Sequence, residues 1–169
     1  MKLSRYNPWL PDQVIAFLKS LIAARPGLKI LEFGCGGSTV WFAGFNVKVI
    51  SVEHDEQWHN AVRDELALKK RTNIDLRLRS LPYNGICDEF PDESFDLILV
   101  DGEDRPMCLL KAMAKVKKGG VLMLDNAERM PPKFLESLAG WEEHLVHQIG
   151  PDSLGFADPL WTTKWWVKP

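Results

Sequence analysis

From about residue 12 to residue 138 this chain alternates helix-like and strand-like runs, and that alternation leaves few folds open. Parallel strands need long crossovers, which helices supply, so the pattern calls for a mostly parallel sheet covered on both faces. Pro11-Asp12 followed by Val14, Ile15, Phe17, Leu18, Leu21 and Ile22 reads as a helix start and an amphipathic helix, stopped at Pro26-Gly27. Residues 28–33 and 47–52 read as buried strands, 38–45 and 56–70 as the helices after them, and 74–81 as a third, alternating strand. A polar loop over 82–94 leads to an apolar strand over 95–100 and a helix over 107–116. Gly119-Gly120 then turn the chain into a strand over 121–124, and 131–138 reads as a short helix. Residues 143–149 and 162–167 are strand candidates, paired as a hairpin around 151–160. The expected architecture is α/β: a doubly wound, mostly parallel seven-stranded sheet with helices on both faces and an antiparallel C-terminal edge. The 169 residues form one domain, residues 1–27 being its N-terminal helical segment.

Within this frame, Leu31-Glu32-Phe33-Gly34-Cys35-Gly36-Gly37-Ser38-Thr39 joins a strand to a helix through a glycine turn. Glycines let backbone N–H groups approach a ligand, and a helix start presents unpaired donors. Glu32, Glu53, Asp101 and Asp125 all fall at expected strand carboxyl ends, where ligands bind in open α/β sheets.

A dinucleotide site wants G-x-G-x-x-G and an acidic residue about 20 positions on. Gly34, Gly36 and Glu53 satisfy this, but the third glycine position is Thr39. An acidic Glu32 before the turn would also repel a pyrophosphate. A cofactor with a free amine and a ribose suits carboxylates at both Glu32 and Glu53, and S-adenosylmethionine carries both groups and no phosphate.

Residues 31–37 resemble motif I of the class I S-adenosylmethionine-dependent methyltransferases, and the later strand ends match in order. The resemblance implies that Glu32 orients the methionine amine and that Phe33, Gly34, Gly36, Gly37, Ser38 and Thr39 form the cofactor turn. It implies further that Glu53 bonds the ribose hydroxyls, that His54 flanks the adenine, that Ser80 and Leu81 meet its edge, and that Asp101 is a cofactor-binding residue. The runs 95–102 and 119–126 resemble the metal-dependent O-methyltransferases of the catechol and caffeoyl-CoA type. By that resemblance Asp101, Asp125 and Asn126 would ligate Mg²⁺ or another divalent cation, which lowers the pKa of an acceptor hydroxyl. The family's lysine three residues after the first aspartate is Asp104 here, and Arg105 does not readily give up a proton. Without a metal, Asp101 or Asp104 is the candidate base.

The remaining signals bound the alternatives. A formal charge of −2 argues against a broad nucleic-acid footprint. No Asp/Asn-Pro-Pro-aromatic motif follows the fourth strand, and no Pro-Cys pair occurs. Three cysteines without metal spacing fit a reduced, cytoplasmic setting, and Cys35 is a packing residue rather than a nucleophile. MKLSRYNPWLPD carries no apolar signal region, and no run approaches the roughly 20 apolar residues of a membrane span. His144, His147 and the Lys69-Lys70-Arg71 run read as surface groups, and Trp161, Trp165 and Trp166 as core or dimer packing, leaving a homodimer open. The expected activity is methyl transfer to a small or medium acceptor, at oxygen. Its alternatives are a non-catalytic cofactor-binding subunit that serves a partner and a nicotinamide-dependent oxidoreductase.

Overall fold

The computed structural model describes residues 8–148 and 161–169. Helix α1 (Asp12–Ala24) starts where the Pro11 carbonyl accepts from the Ile15 N–H at 3.0 Å. Its buried residues Val14, Leu18 and Ile22 recur every four positions, which lays one apolar stripe on the sheet. Five strands, β1 (Lys29–Phe33), β2 (Lys48–Glu53), β3 (Ile74–Leu78), β4 (Phe95–Val100) and β5 (Val116–Leu124), pair in parallel. Helices α2 (Gly37–Phe42), α3 (Glu56–Leu68) and α4 (Arg105–Lys115) make three of the crossovers. The short α5 (Pro132–Leu135) precedes β6 (Glu142–Gln148), and β7 (Trp161–Val167) runs antiparallel to both β5 and β6.

The sheet order is β3-β2-β1-β4-β5-β7-β6. The chain winds outward from β1 in one direction and from β4 in the other, so a crevice opens above the adjoining ends of these two strands. Alternate residues serve opposite faces. Leu31, Phe33, Ile98, Val100 and Trp166 pack with Leu109 and Ala112 of α4, whereas Ile30, Leu97, Leu99 and Trp165 pack with α1. Phe17 of α1 stacks on Trp165 with ring centroids 4.7 Å apart, so two of the late tryptophans belong to the cores of the two faces.

Several boundaries differ from expectation for visible reasons. The 119–120 glycines do not precede β5 but lie inside it as a bulge, with Phe95 facing Val116 and Leu97 facing Val121. The backbone of Lys168 holds the bulge open: its carbonyl accepts from Gly119 N–H at 2.8 Å and its N–H donates to the Gly120 carbonyl at 3.0 Å. Helix α4 starts two residues early because Pro106 is tolerated in a first turn. The loop over 82–94 contains a 3₁₀ turn, Tyr83–Glu89, that buries Tyr83, Ile86 and Cys87 against the α4 face. β3 stops at Leu78 rather than Leu81, and α2 stops at Phe42 rather than Phe45. The connection expected over 151–160, and Ile149, lie outside the described residues.

Candidate functional site

The crevice above β1 and β4 is a cavity of about 380 Å³, within the ~300–1,000 Å³ usual for small-molecule sites. The turn after β1 forms its floor. Gly34 sits at φ +91°, a conformation that side chains disfavour, and its N–H donates to the Val52 carbonyl at 2.9 Å. A Cβ on Gly34 would lie 2.7 Å from Gly102 Cα and 2.8 Å from the Asp101 carbonyl oxygen. The two strand ends therefore touch through bare backbone, and this contact determines how close the β1 turn lies to Asp101.

Glu32 does not face the cavity. In a strand its side chain shares the face of Ile30, beneath α2, where it is wholly buried. Three hydroxyls donate to its carboxylate: Ser38 at 2.5 Å, Thr39 at 2.5 Å and Ser51, its register neighbour on β2, at 2.6 Å. Thr39 Oγ1 in turn accepts from the Gly36 N–H at 2.9 Å. Burial pushes the Glu32 pKa up against the opposing pull of these hydrogen bonds. Glu32, expected at a methionine amine, lies outside the cavity lining and is the acceptor of a brace that ties β1, β2 and the start of α2. The Phe33 side chain lies in the core, and Thr39 is wholly buried in the brace. Gly34, Gly36, Gly37 and Ser38 do line the cavity.

Glu53 is the carboxylate that reaches the cavity from β2. Backbone N–H groups orient it: Cys35 to Oε2 at 3.1 Å, His54 and Asp55 to Oε1 at 2.8 and 2.9 Å. The His54 ring lies 2.9 Å from the same Oε1 and also lines the cavity. Asp55 caps α3 by accepting from the Trp58 N–H at 2.7 Å, and Trp58 donates its indole N–H to the Cys35 carbonyl. Trp58 and Trp9 meet edge to face with centroids 5.9 Å apart, forming an aromatic rim on this side. Ser80 and Leu81 are exposed beyond the end of β3 and do not line the cavity.

At the opposite end stand Asp101, Glu103, Arg105 and Asn126. Burial and the nearby charge of Asp125 push the Asp101 pKa well above the carboxylate range, with Arg105 pulling the other way. Asp104 lies outside this group: it takes the left-handed conformation before α4 and accepts from the Asn84 amide at 2.6 Å. Asp125 is also turned away. Its carboxylate accepts from Trp161 Nε1 at 2.9 and 3.0 Å and from Thr163 Oγ1 at 2.5 Å, both on β7. Between Asp101 and Asn126 stands Arg105 Nη2, 3.4 Å from one side-chain oxygen and 3.2 Å from the other. The residues implied as ligands of one divalent cation are therefore not assembled for it: one is spent on β7, and a guanidinium occupies the space shared by the other two. Among the described residues, no group of three or more His, Cys, Asp or Glu side chains is placed to hold a metal ion.

Burial pushes the Asp125 pKa up to about 6. A carboxyl held above its unfolded value binds its proton more tightly in the folded chain, so stability falls as pH rises between about 4 and 6. Asp125→Asn is expected to remove roughly 3 kcal/mol of that fall, read as the difference between wild-type and variant urea denaturation at pH 4 and pH 7. Parallel pH profiles for the two proteins would contradict it.

Trp9, Trp58, Glu103 and Arg105 carried no motif in the sequence. Trp58 and Arg105 lie within a turn of the helix starts that follow Glu53 and Asp101, which is the one local signal that could have found them. Trp9 arrives only by tertiary packing. No helix among the described residues is long and apolar enough to cross a membrane.

Known proteins share both sequence and fold with this chain. An O-methyltransferase of ubiquinone biosynthesis from Xanthomonas campestris pv. campestris is 26% identical over 147 residues, covering 83% of this chain and 58% of its own length. A ribosomal protein L11 methyltransferase from Burkholderia mallei is 25% identical over 133 residues, covering 71% of this chain and 41% of its own. The chain thus spans about half the length of these curated relatives. In fold it is similar to an O-methyltransferase from Bacillus cereus solved in complex with SAH (TM-score 0.73, 22% identity, 94% of this chain and 82% of that one). It is also similar to an rRNA methylase from Streptococcus thermophilus (TM-score 0.70, 14% identity, 95% and 99%). The profile of the methyltransferase-domain family matches residues 31–127, from Leu31 in β1 through Glu53 and Asp101 to Ala127. With the seven-stranded order built around that span, the chain belongs to this methyltransferase-domain family.

Proposed function

We propose that this protein transfers a methyl group from S-adenosylmethionine to an oxygen of a small acceptor. The observation that carries the reading is the placement of Glu53 and Asp101, from strands either side of β1, in one cavity with the glycine turn between them. The donor set suits that cofactor. Carboxylates of Glu53, Asp55, Asp101 and Glu103 line the cavity against the single guanidinium of Arg105, which favours an amine and hydroxyls and disfavours a pyrophosphate. These four groups, rather than Glu32 beneath the turn, are the ones that would repel a dinucleotide.

Glu53, held by three backbone N–H groups, is placed to accept from ribose hydroxyls, and Trp58 and His54 give the adjacent wall. Gly34 to Ser38 allow close backbone approach, and Asp101 stands toward the methionine end. When bound, the cofactor supplies an electrophilic methyl group. The protein's own work is then to align the acceptor, exclude water and receive a proton. Asp101 is the group that receives the proton, because it lines the cavity and its raised pKa makes it a stronger base than an ordinary carboxylate. Asp104 is committed to Asn84 and serves to start α4.

Calorimetric titration with S-adenosylhomocysteine and NAD tests the cofactor. Binding of the adenosyl compound alone is expected, whereas binding of NAD alone would refute the reading. Asp101→Asn is expected to lower kcat by about 10²–10⁴-fold, the usual range for loss of a general base, while S-adenosylhomocysteine affinity changes only a few-fold. The low-pH limb of the wild-type rate profile should lie above that of an ordinary carboxylate, because the base works only when deprotonated. Unchanged turnover of a methyl-accepting phenol by Asp101→Asn would remove Asp101 from this role.

A further inference from the structure

We propose that Arg105 is a built-in cation of the acceptor site, and that the acceptor presents it with an anionic oxygen. The proposal rests on the methyl-transfer reading only for the identity of the ligand filling the rest of the cavity. Arg105 opens α4 directly after the Asp101 strand end, and its side chain, 21% exposed, lines the cavity beside Asp101 and Asn126. Among the described residues it is the one Lys or Arg of that lining.

Its bonding is incomplete. A guanidinium carries five N–H donors in a planar fork matched to a pair of oxygens. Among the described residues only Nη2 is used, at 3.4 Å to Asp101 Oδ1 and 3.2 Å to Asn126 Oδ1, long for charge-assisted bonds, which run about 2.7–2.9 Å. Nε is buried and has no partner among the described residues. A structural ion pair would be expected to close on the carboxylate in bidentate fashion. Arg105 instead stands between two oxygens without engaging either closely, and among the described residues its Nη1 has no partner, which leaves that donor, rather than the buried Nε, for a ligand oxygen. An acceptor whose anionic oxygen docks here would hold its reacting hydroxyl next to Asp101, the proposed base. The same guanidinium takes the space between Asp101 and Asn126 that a divalent ion would need, so acceptor binding gains nothing from Mg²⁺.

Three probes of similar size separate the cases: benzoate, 4-nitrophenolate and the neutral benzamide, titrated into the full chain with and without S-adenosylhomocysteine. Saturation by the adenosyl compound is read first, and its absence would strike the methyl-transfer reading and not the anion site. The expected result is that at least one anion binds about tenfold or more tightly than benzamide, the order expected of a charge-assisted bond. Preference for benzoate identifies a carboxylate on the acceptor; preference for nitrophenolate identifies the ionised hydroxyl itself. Arg105→Gln should erase the preference and Arg105→Lys should keep part of it, with circular dichroism and urea denaturation confirming that both variants fold. Equal binding of all three probes to wild-type protein, no binding of either anion, or an anion preference surviving in Arg105→Gln would overturn the proposal. So would catechol binding that appears only with Mg²⁺.

Discussion

Gly34→Ala is expected to destabilise the protein by roughly 2–5 kcal/mol and to abolish S-adenosylhomocysteine binding. Two costs add. A left-handed backbone costs a side chain about 1–2 kcal/mol, and overpacking a tight interior typically costs about 1–3 kcal/mol. Both apply at Gly34, because its Cβ would press on the backbone of Asp101 and Gly102, which cannot swing aside as a side chain can. Relief would require β1 and β4 to part at their carboxyl ends, moving the turn away from Asp101. Gly140 provides the control. It has φ +90° but nothing within 4 Å of a Cβ, so Gly140→Ala should show only the conformational cost of about 1–2 kcal/mol. Urea denaturation of the two variants separates the terms, and equal losses would show that the β1–β4 contact is not tight.

The second large effect is expected at Glu32. Glu32→Ala removes the shared acceptor of three buried hydroxyls, and each orphaned donor costs about 1–3 kcal/mol. Part of this is recovered. Thr39 and Ser51 lie 3.4 Å apart and can pair with each other, and the penalty of keeping a carboxylate wholly buried disappears. The net loss should be roughly 3 kcal/mol. Glu32→Gln keeps an acceptor oxygen and the volume, and should lose only about 1 kcal/mol. A Glu32→Ala protein as stable as wild type, by urea denaturation, would show that the hydroxyls re-pair fully and that the brace holds nothing. The distinction matters for function, because Ser38 and Thr39 begin α2 and the brace determines where that helix start faces the cavity.

Much of the fold was legible because its signals are local. A run such as 95–100, apolar at every core position, has no way to shed that surface except as a strand covered on both faces. Val14, Leu18 and Ile22 similarly declare one helix face. The glycine turn, the Glu53 spacing and the acidic strand ends together pointed to one crevice. Boundaries were less legible where a distant partner decides them, as when Lys168 carries β5 through its glycines.

The roles of individual acidic residues were the least legible. Glu32 and Glu53 look alike in sequence, each near the end of an apolar strand. Strand parity and the register with Ser51 put the first beneath α2, while the turn of backbone N–H groups at 35, 54 and 55 draws the second to the cavity. Asp125 and Asn126 read as a neighbouring ligand pair, yet β7 claims one of them and leaves the other beside Arg105. The sequence by itself determined the layering, the position of the crevice and the family, since periodicity, glycine chemistry and spacing act within a few residues of their cause. Only the tertiary structure decided which carboxylates face the cavity and which brace the sheet. A charged side chain takes its role from the donors around it, and for Asp125 such a donor, Thr163, lies 38 residues away in the chain.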